Sequence, residues 1–131
     1  MQNMMAIPNW SDKTILIVED EEINRFFFKS ALRVTNVTIL FANDGLEGIN
    51  IALNNKNIDC VLMDIRMPVI DGYEAMIQIK KDRKNLPIVV QSAYALSNER
   101  KKAFDSGCDD YIAKPINLDT LFSTLKRFLN N

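Results

Sequence analysis

The chain has 131 residues, a formal net charge of −1, 47% hydrophobic and 25% charged residues. This is the balance of one ordinary globular domain, able to bury about two-thirds of its unfolded surface. No basic run gives the footprint of a nucleic-acid contact, no apolar run approaches the roughly 20 residues of a membrane span, and Met1 to Asp12 lacks the pattern of a secretory signal, so a cytoplasmic location is expected.

In chain order, residues 1–12 lack periodicity and read as a lead-in to a domain over 13–131, with Trp10 resting on its edge. Thr14 to Val18 is a short β-branched apolar run, hence a buried strand. It ends in Glu19-Asp20-Glu21-Glu22, acids that suit the first turn of a helix running to about Val34, with Ile23, Phe27, Ala31 and Val34 on one face. Val37 to Ala42 is a second strand, and Asn43-Asp44-Gly45 a turn able to cap a helix to about Asn54. Ile58 to Met63 is a third strand, delivering Asp64 before the chain breaks at Pro68 and at Asp71-Gly72.

A helix over Gly72 to Asp82 follows, carrying Tyr73, Met76, Ile77 and Ile79. Pro87 to Gln91 is a fourth strand leading to Ser92-Ala93. Ser97 caps a polar helix through about Ser106, and Gly107 closes it. Asp110 to Ala113 is a fifth strand ending at Lys114-Pro115, and a helix from about Asn117 to Leu129 places Leu118, Leu121, Phe122, Leu125 and Phe128 at helical spacing. Strands that alternate with helices, and are apolar throughout, define a doubly wound α/β domain with a parallel sheet.

All carboxyl ends of a parallel sheet face one way, where such folds keep their chemistry. Here those ends carry Glu19 and Asp20, Asp64, Ser92 and Lys114. Three converging carboxylates repel unless one is protonated or a cation neutralises them. Oxygen-only ligands favour a hard ion such as Mg²⁺. With the hydroxyl of Ser92 and the charge of Lys114, the group suits a phosphoryl on or passing to Asp64. The chain has no histidine, which excludes imidazole catalysis, histidine metal ligands and a phosphohistidine carrier. Cys60 and Cys108 are too few and too isolated for a disulfide framework or zinc site and read as small hydrophobes.

Five pieces in order, Ile15 to Asp20, Leu62 to Pro68 with Asp71-Gly72, Pro87 to Ala93, Gly107 to Tyr111, and Lys114-Pro115, make the chain resemble the receiver domain of two-component response regulators from about Lys13 to Leu129. The resemblance implies a flavodoxin-like sheet of order 2-1-3-4-5 with five helices. It also implies that Asp64 accepts a phosphoryl group from a phosphohistidine, with Mg²⁺ held by Asp20, Asp64 and the main-chain carbonyl of Arg66, and with Glu19 acting nearby through water. Lys114 would pair with a phosphoryl oxygen next to a cis bond to Pro115. Ser92 and Tyr111 would take the places of the switch hydroxyl and the rotating aromatic. The implied partners are a histidine kinase or a histidine phosphotransfer protein in a phosphorelay, with no membrane or nucleic-acid contact, and with a phosphorylation-dependent dimer as a further option.

Such a domain is a phosphoacceptor rather than an enzyme. The alternatives are a Mg²⁺-dependent phosphatase with an aspartyl-phosphate intermediate, whose class places its nucleophile on the first strand, and an inert pseudo-receiver. Nucleotide binding lacks its glycine-rich turn after the first strand. Arg66 and Tyr94, each two residues past a site residue, are expected to overhang the phosphoryl group and slow its hydrolysis. Phe26-Phe27-Phe28 cannot all lie on one helical face. Phe27 is expected inside, and an exposed neighbour would offer a docking surface to a helical donor. Arg100, Lys101 and Lys102 mark an alternative output face.

Overall fold

Five apolar runs form one parallel sheet: β1 (Thr14–Val18), β2 (Thr38–Ala42), β3 (Cys60–Asp64), β4 (Ile88–Ser92) and β5 (Asp110–Ala113), in the order β2-β1-β3-β4-β5. Helices α1 (Glu22–Leu32), α2 (Gly45–Asn54), α3 (Gly72–Asp82) and α4 (Ser97–Asp105) connect them, and α5 (Leu118–Leu129) follows β5. This is the flavodoxin-like arrangement expected from the sequence. The computed structural model describes residues 6–93 and 97–130, with the Ser97 side chain excepted. The expected Ser97 cap and the expected role of Tyr94 therefore lie outside the described residues.

The central strands β3 and β4 are buried at every position, because apolar layers cover both faces of the sheet. One layer holds Leu16, Val18, Val61, Met63 and Val90 against α2, α3 and Ala103 of α4. The other holds Ile15, Ile17, Leu62, Val89 and Ile112 against Phe28 and Leu32 of α1 and Leu121, Leu125 and Leu129 of α5. Among the described residues no helix is long and apolar enough to cross a membrane.

Two helices differ from the sequence reading. The α-helical part of α1 stops at Leu32 and passes into a 3-10 turn over Arg33–Thr35, with Asn36 left-handed at φ 63°. The turn carries Val34 out to solvent, and Ile23 is exposed as well. Phe28 and Leu32, four residues apart, meet the sheet, while Phe27 is only half-buried and Phe26 is 67% exposed. Phe28 rather than Phe27 is thus the fully buried ring, Phe27 packs at the core's margin, and Phe26 is the exposed neighbour. On α5, Leu118 likewise lies half in solvent.

Trp10 does more than rest on an edge. It is 2% exposed, its Nε1 donates to Asn130 Oδ1 at 2.6 Å, and its ring stacks on Phe122. Burial pushes both the Cys60 and Cys108 thiols up to about 12, as befits inert core residues.

Candidate functional site

The sheet order reverses between β1 and β3, so the crevice outside their carboxyl ends is a topological switch point. Glu19 and Asp20 leave β1 on one side of it, and Asp64 is the final residue of β3 on the other. One carboxylate oxygen from each of the three lies within 4.8 Å of the others. Glu19 is fully buried and Asp64 is 5% exposed, whereas Asp20 opens to solvent.

Glu19 sits before α1 rather than in its first turn. Its Oε2 accepts from the Glu21 N–H at 3.2 Å and from Asn24 Nδ2 at 3.3 Å. Arg25 Nη1 donates to the Glu19 carbonyl at 2.8 Å. These bonds turn Oε1 inward, where it is buried without a hydrogen-bond partner. Lys114 Nζ stands 3.5 Å from it, an ion-pair distance, and 3.4 Å from Asp64 Oδ2. Asp64 Oδ1 accepts from the Arg66 main-chain N–H at 3.1 Å.

Burial, and then the charge of Asp64, hold the Glu19 carboxyl above its ordinary value, against the opposing pull of Lys114. Burial also raises Asp64, opposed by Lys114 and by the Arg66 N–H. One lysine therefore does not neutralise this group. An oxygen-only donor set that includes a buried carboxylate oxygen without a hydrogen-bond partner fits a small hard divalent cation.

Lys114 is delivered by the end of β5, where its N–H donates to the Ser92 carbonyl at 2.8 Å, and its bond to Pro115 is cis as expected. Ser92 ends β4 and is buried. Tyr111 is buried on the α3–α4 side of the sheet, with the Arg100 guanidinium 5.7 Å from its ring centroid. Glu19, Asp20, Asp64, Ser92 and Lys114 thus lie at one edge, whereas Tyr111 sits within β5 beside Val90 and the Arg66 side chain points elsewhere. The latter is 60% exposed, and Nη2 lies 3.6 Å from Glu99 Oε2 on α4.

Three participants escaped the sequence reading, Asn24, Arg25 and Glu99, and Gly72 has a reason beyond the expected turn. Gly72 looked like half of a tight turn, but Asp71 is the N-cap of α3, accepting from the Glu74 N–H at 3.0 Å. Gly72 is needed because a Cβ there would stand 2.3 Å from the Asp64 carbonyl oxygen and 2.8 Å from Ile65 Cα. The helix start is pressed against the backbone that carries Asp64. Asn24 could have been suspected from its position in the first turn of a helix that begins beside Glu19, whereas Glu99 carries no local signal.

Fold and site together define a doubly wound signalling-type domain with a carboxylate cluster and one lysine at its switch point. The chain belongs to the response regulator receiver domain family, whose model matches residues 15–126. It is 35% identical over 120 residues to the sensor histidine kinase RcsC of Escherichia coli K12, covering 92% of this chain but only 12% of that kinase. It is similar to the receiver domain of the sensor histidine kinase PA1611 of Pseudomonas aeruginosa, solved with a magnesium ion coordinated in the active-site cleft (TM-score 0.83, 31% identity, 91% of this chain and 98% of that one). A third likeness is to the Saccharomyces cerevisiae complex between the histidine phosphotransfer protein Ypd1 and the receiver domain of its downstream response regulator Ssk1 (TM-score 0.85, 30% identity, 95% and 92% covered).

Proposed function

We propose that this domain is a phosphorelay switch in which Asp64 accepts a phosphoryl group from a phosphohistidine donor. The observation that carries the reading is the convergence of Glu19, Asp20 and Asp64 within 4.8 Å, with Lys114 Nζ 3.4 Å from Asp64 Oδ2. An Asp64 oxygen attacks phosphorus, the O–P bond forms as the N–P bond breaks, and the donor imidazole leaves with its electron pair and takes up a proton. Asp20, Asp64 and the Arg66 main-chain carbonyl would hold Mg²⁺, with Glu19 behind them through water. The ion would supply positive charge to the transferring oxygens. Lys114 neutralises a further phosphoryl oxygen.

The aspartyl phosphate carries nearly two negative charges where the carboxylate carried one. These attract Ser92 and Lys114, and the inward shift of the loop after β4 fixes Tyr111 in the space Ser92 leaves. The magnesium-bound PA1611 receiver supports the choice of ion, and the Ypd1–Ssk1 complex supports a histidine kinase or phosphotransfer protein as donor. A cytoplasmic placement belongs to the same reading.

Incubation with acetyl phosphate and Mg²⁺ tests it. Mass spectrometry should find one added phosphoryl on the wild type and none on Asp64→Asn. An unmodified wild type would make the domain an inert module, and turnover of unrelated phosphomonoesters would make it a phosphatase.

A further inference from the structure

Beside the carboxylate cluster, a cleft of about 470 Å³ is lined by Asp20, Arg66, Pro68, Tyr73, Glu99 and Lys102, among others. Its far wall is α4, and one residue of α4 reaches across it. Glu99 Oε1 accepts the Tyr73 phenol at 2.5 Å, and Glu99 Oε2 faces Arg66 Nη2 at 3.6 Å. Lys102 Nζ lies 4.4 Å from the Tyr73 ring centroid, closing the same group from the α4 side. The Tyr73 hydroxyl is pushed up by burial, then by its bond to Glu99. One carboxylate thus ties α4 both to the start of α3 and to the loop after β3.

Arg66 is the unusual member. Its main-chain N–H touches Asp64 Oδ1, so its backbone is fixed at the phosphoacceptor while its guanidinium is drawn away toward α4. Glu99 carries a single negative charge, and one of its oxygens is already committed to Tyr73. An aspartyl phosphate at Asp64 would carry nearly two negative charges in place of the carboxylate's one, and would bring three acceptor oxygens to the same loop in a geometry that a guanidinium matches well. Resting on the reading of Asp64 as phosphoacceptor, we propose that Glu99 is a positioning residue that holds Arg66 on α4 in the unphosphorylated domain and yields it to the aspartyl phosphate. The exchange removes the charged tie between α4 and the loop after β3 and leaves the Tyr73 bond and the packing of Ala103 in place, so phosphorylation loosens α4 by a route separate from Ser92 and Tyr111. It also explains how Arg66 can cover the phosphoryl group although its side chain is turned elsewhere beforehand.

The test is a double-mutant cycle read by the affinity of the Mg²⁺-loaded domain for beryllofluoride, a phosphoryl mimic. Glu99→Gln keeps an acceptor for Tyr73 but removes the negative charge that faces Arg66. It should bind beryllofluoride about threefold more tightly, the size of a partly exposed ion pair. The gain should vanish in the Arg66→Ala background and shrink in about 1 M salt. Tyr73→Phe removes the phenolic bond but leaves both charges, and should keep the wild-type affinity. An unchanged affinity in Glu99→Gln would overturn the proposal. So would an equal gain in the Arg66→Ala background or in Tyr73→Phe, since the effect would then belong to a loosened α4 rather than to the charge. A wild type that takes up no beryllofluoride would instead overturn the phosphoacceptor reading itself.

Discussion

The two edges of the sheet treat ionisable groups in opposite ways. At the amino edge every polar group named here has a structural partner. Asp59 accepts from the Thr14 N–H, and Asp109 accepts from the Ile88 N–H and from Lys80, each at 2.8 Å. Arg83 donates to the carbonyls of Ala52, Asn55, Lys56 and Ile58, joining the loops before β3 and β4. At the carboxyl edge like charges face one another. Among the described residues, the buried side-chain atoms without a hydrogen-bond partner are Glu19 Oε1 and both amide atoms of Gln91, the residue before Ser92. One edge is arranged for stability, and the other stays electrostatically incomplete until a cation and a phosphoryl group arrive.

Three substitutions probe that contrast. Arg83→Ala leaves several carbonyls unpaired and should cost about 3 kcal/mol of unfolding free energy. Labelling by acetyl phosphate should persist under conditions where the variant is folded. Denaturant titration with parallel phosphorylation checks both halves, and a loss of labelling in the folded variant would break the contrast between the edges.

Asp64→Asn should do the reverse. The raised Glu19 and Asp64 carboxyls keep protons in the folded chain at pH values where the unfolded chain has lost them. Their contribution to stability is complete below the ordinary carboxylate pKa and is lost as pH rises through the raised folded values. Metal-free protein should therefore lose stability on going upward from about pH 4, and the slope should flatten in Asp64→Asn. Near neutrality that variant should be more stable than wild type by roughly 1–3 kcal/mol, as read from urea midpoints.

The smallest effect on stability is expected away from both edges. Phe26→Glu, on the exposed face of α1, should change stability by about 0.5 kcal/mol or less. It should slow phosphoryl transfer from a histidine phosphotransfer donor by roughly tenfold, the effect of losing an apolar anchor. Labelling by acetyl phosphate, which needs no docking face, should be unchanged.

Much of the domain was legible because its signals are local. The β-branched runs, the acids after β1, Asp64 before Pro68, and Lys114-Pro115 each report on their own few residues, and parallel topology then sends all their ends to one edge. The faces of α1 were less legible, since three consecutive phenylalanines satisfy several helical phases equally well. Only packing against β1 and α5 selected Phe28 for the core and left Phe26 outside.

The sequence by itself determined the fold class, the strand order through its resemblance, and the residues gathered around Asp64. Hydrophobic period and strand-end chemistry are properties of neighbouring residues, which is why they could be read directly. The tertiary structure alone decided three things: that Gly72 is required by close approach to the Asp64 backbone, that Glu19 leaves one buried oxygen without a hydrogen-bond partner, and that Arg66 faces Glu99. Each depends on distances between segments far apart in the chain, or on the balance of burial and charge at a point where several segments meet. No pattern within a single segment encodes those distances.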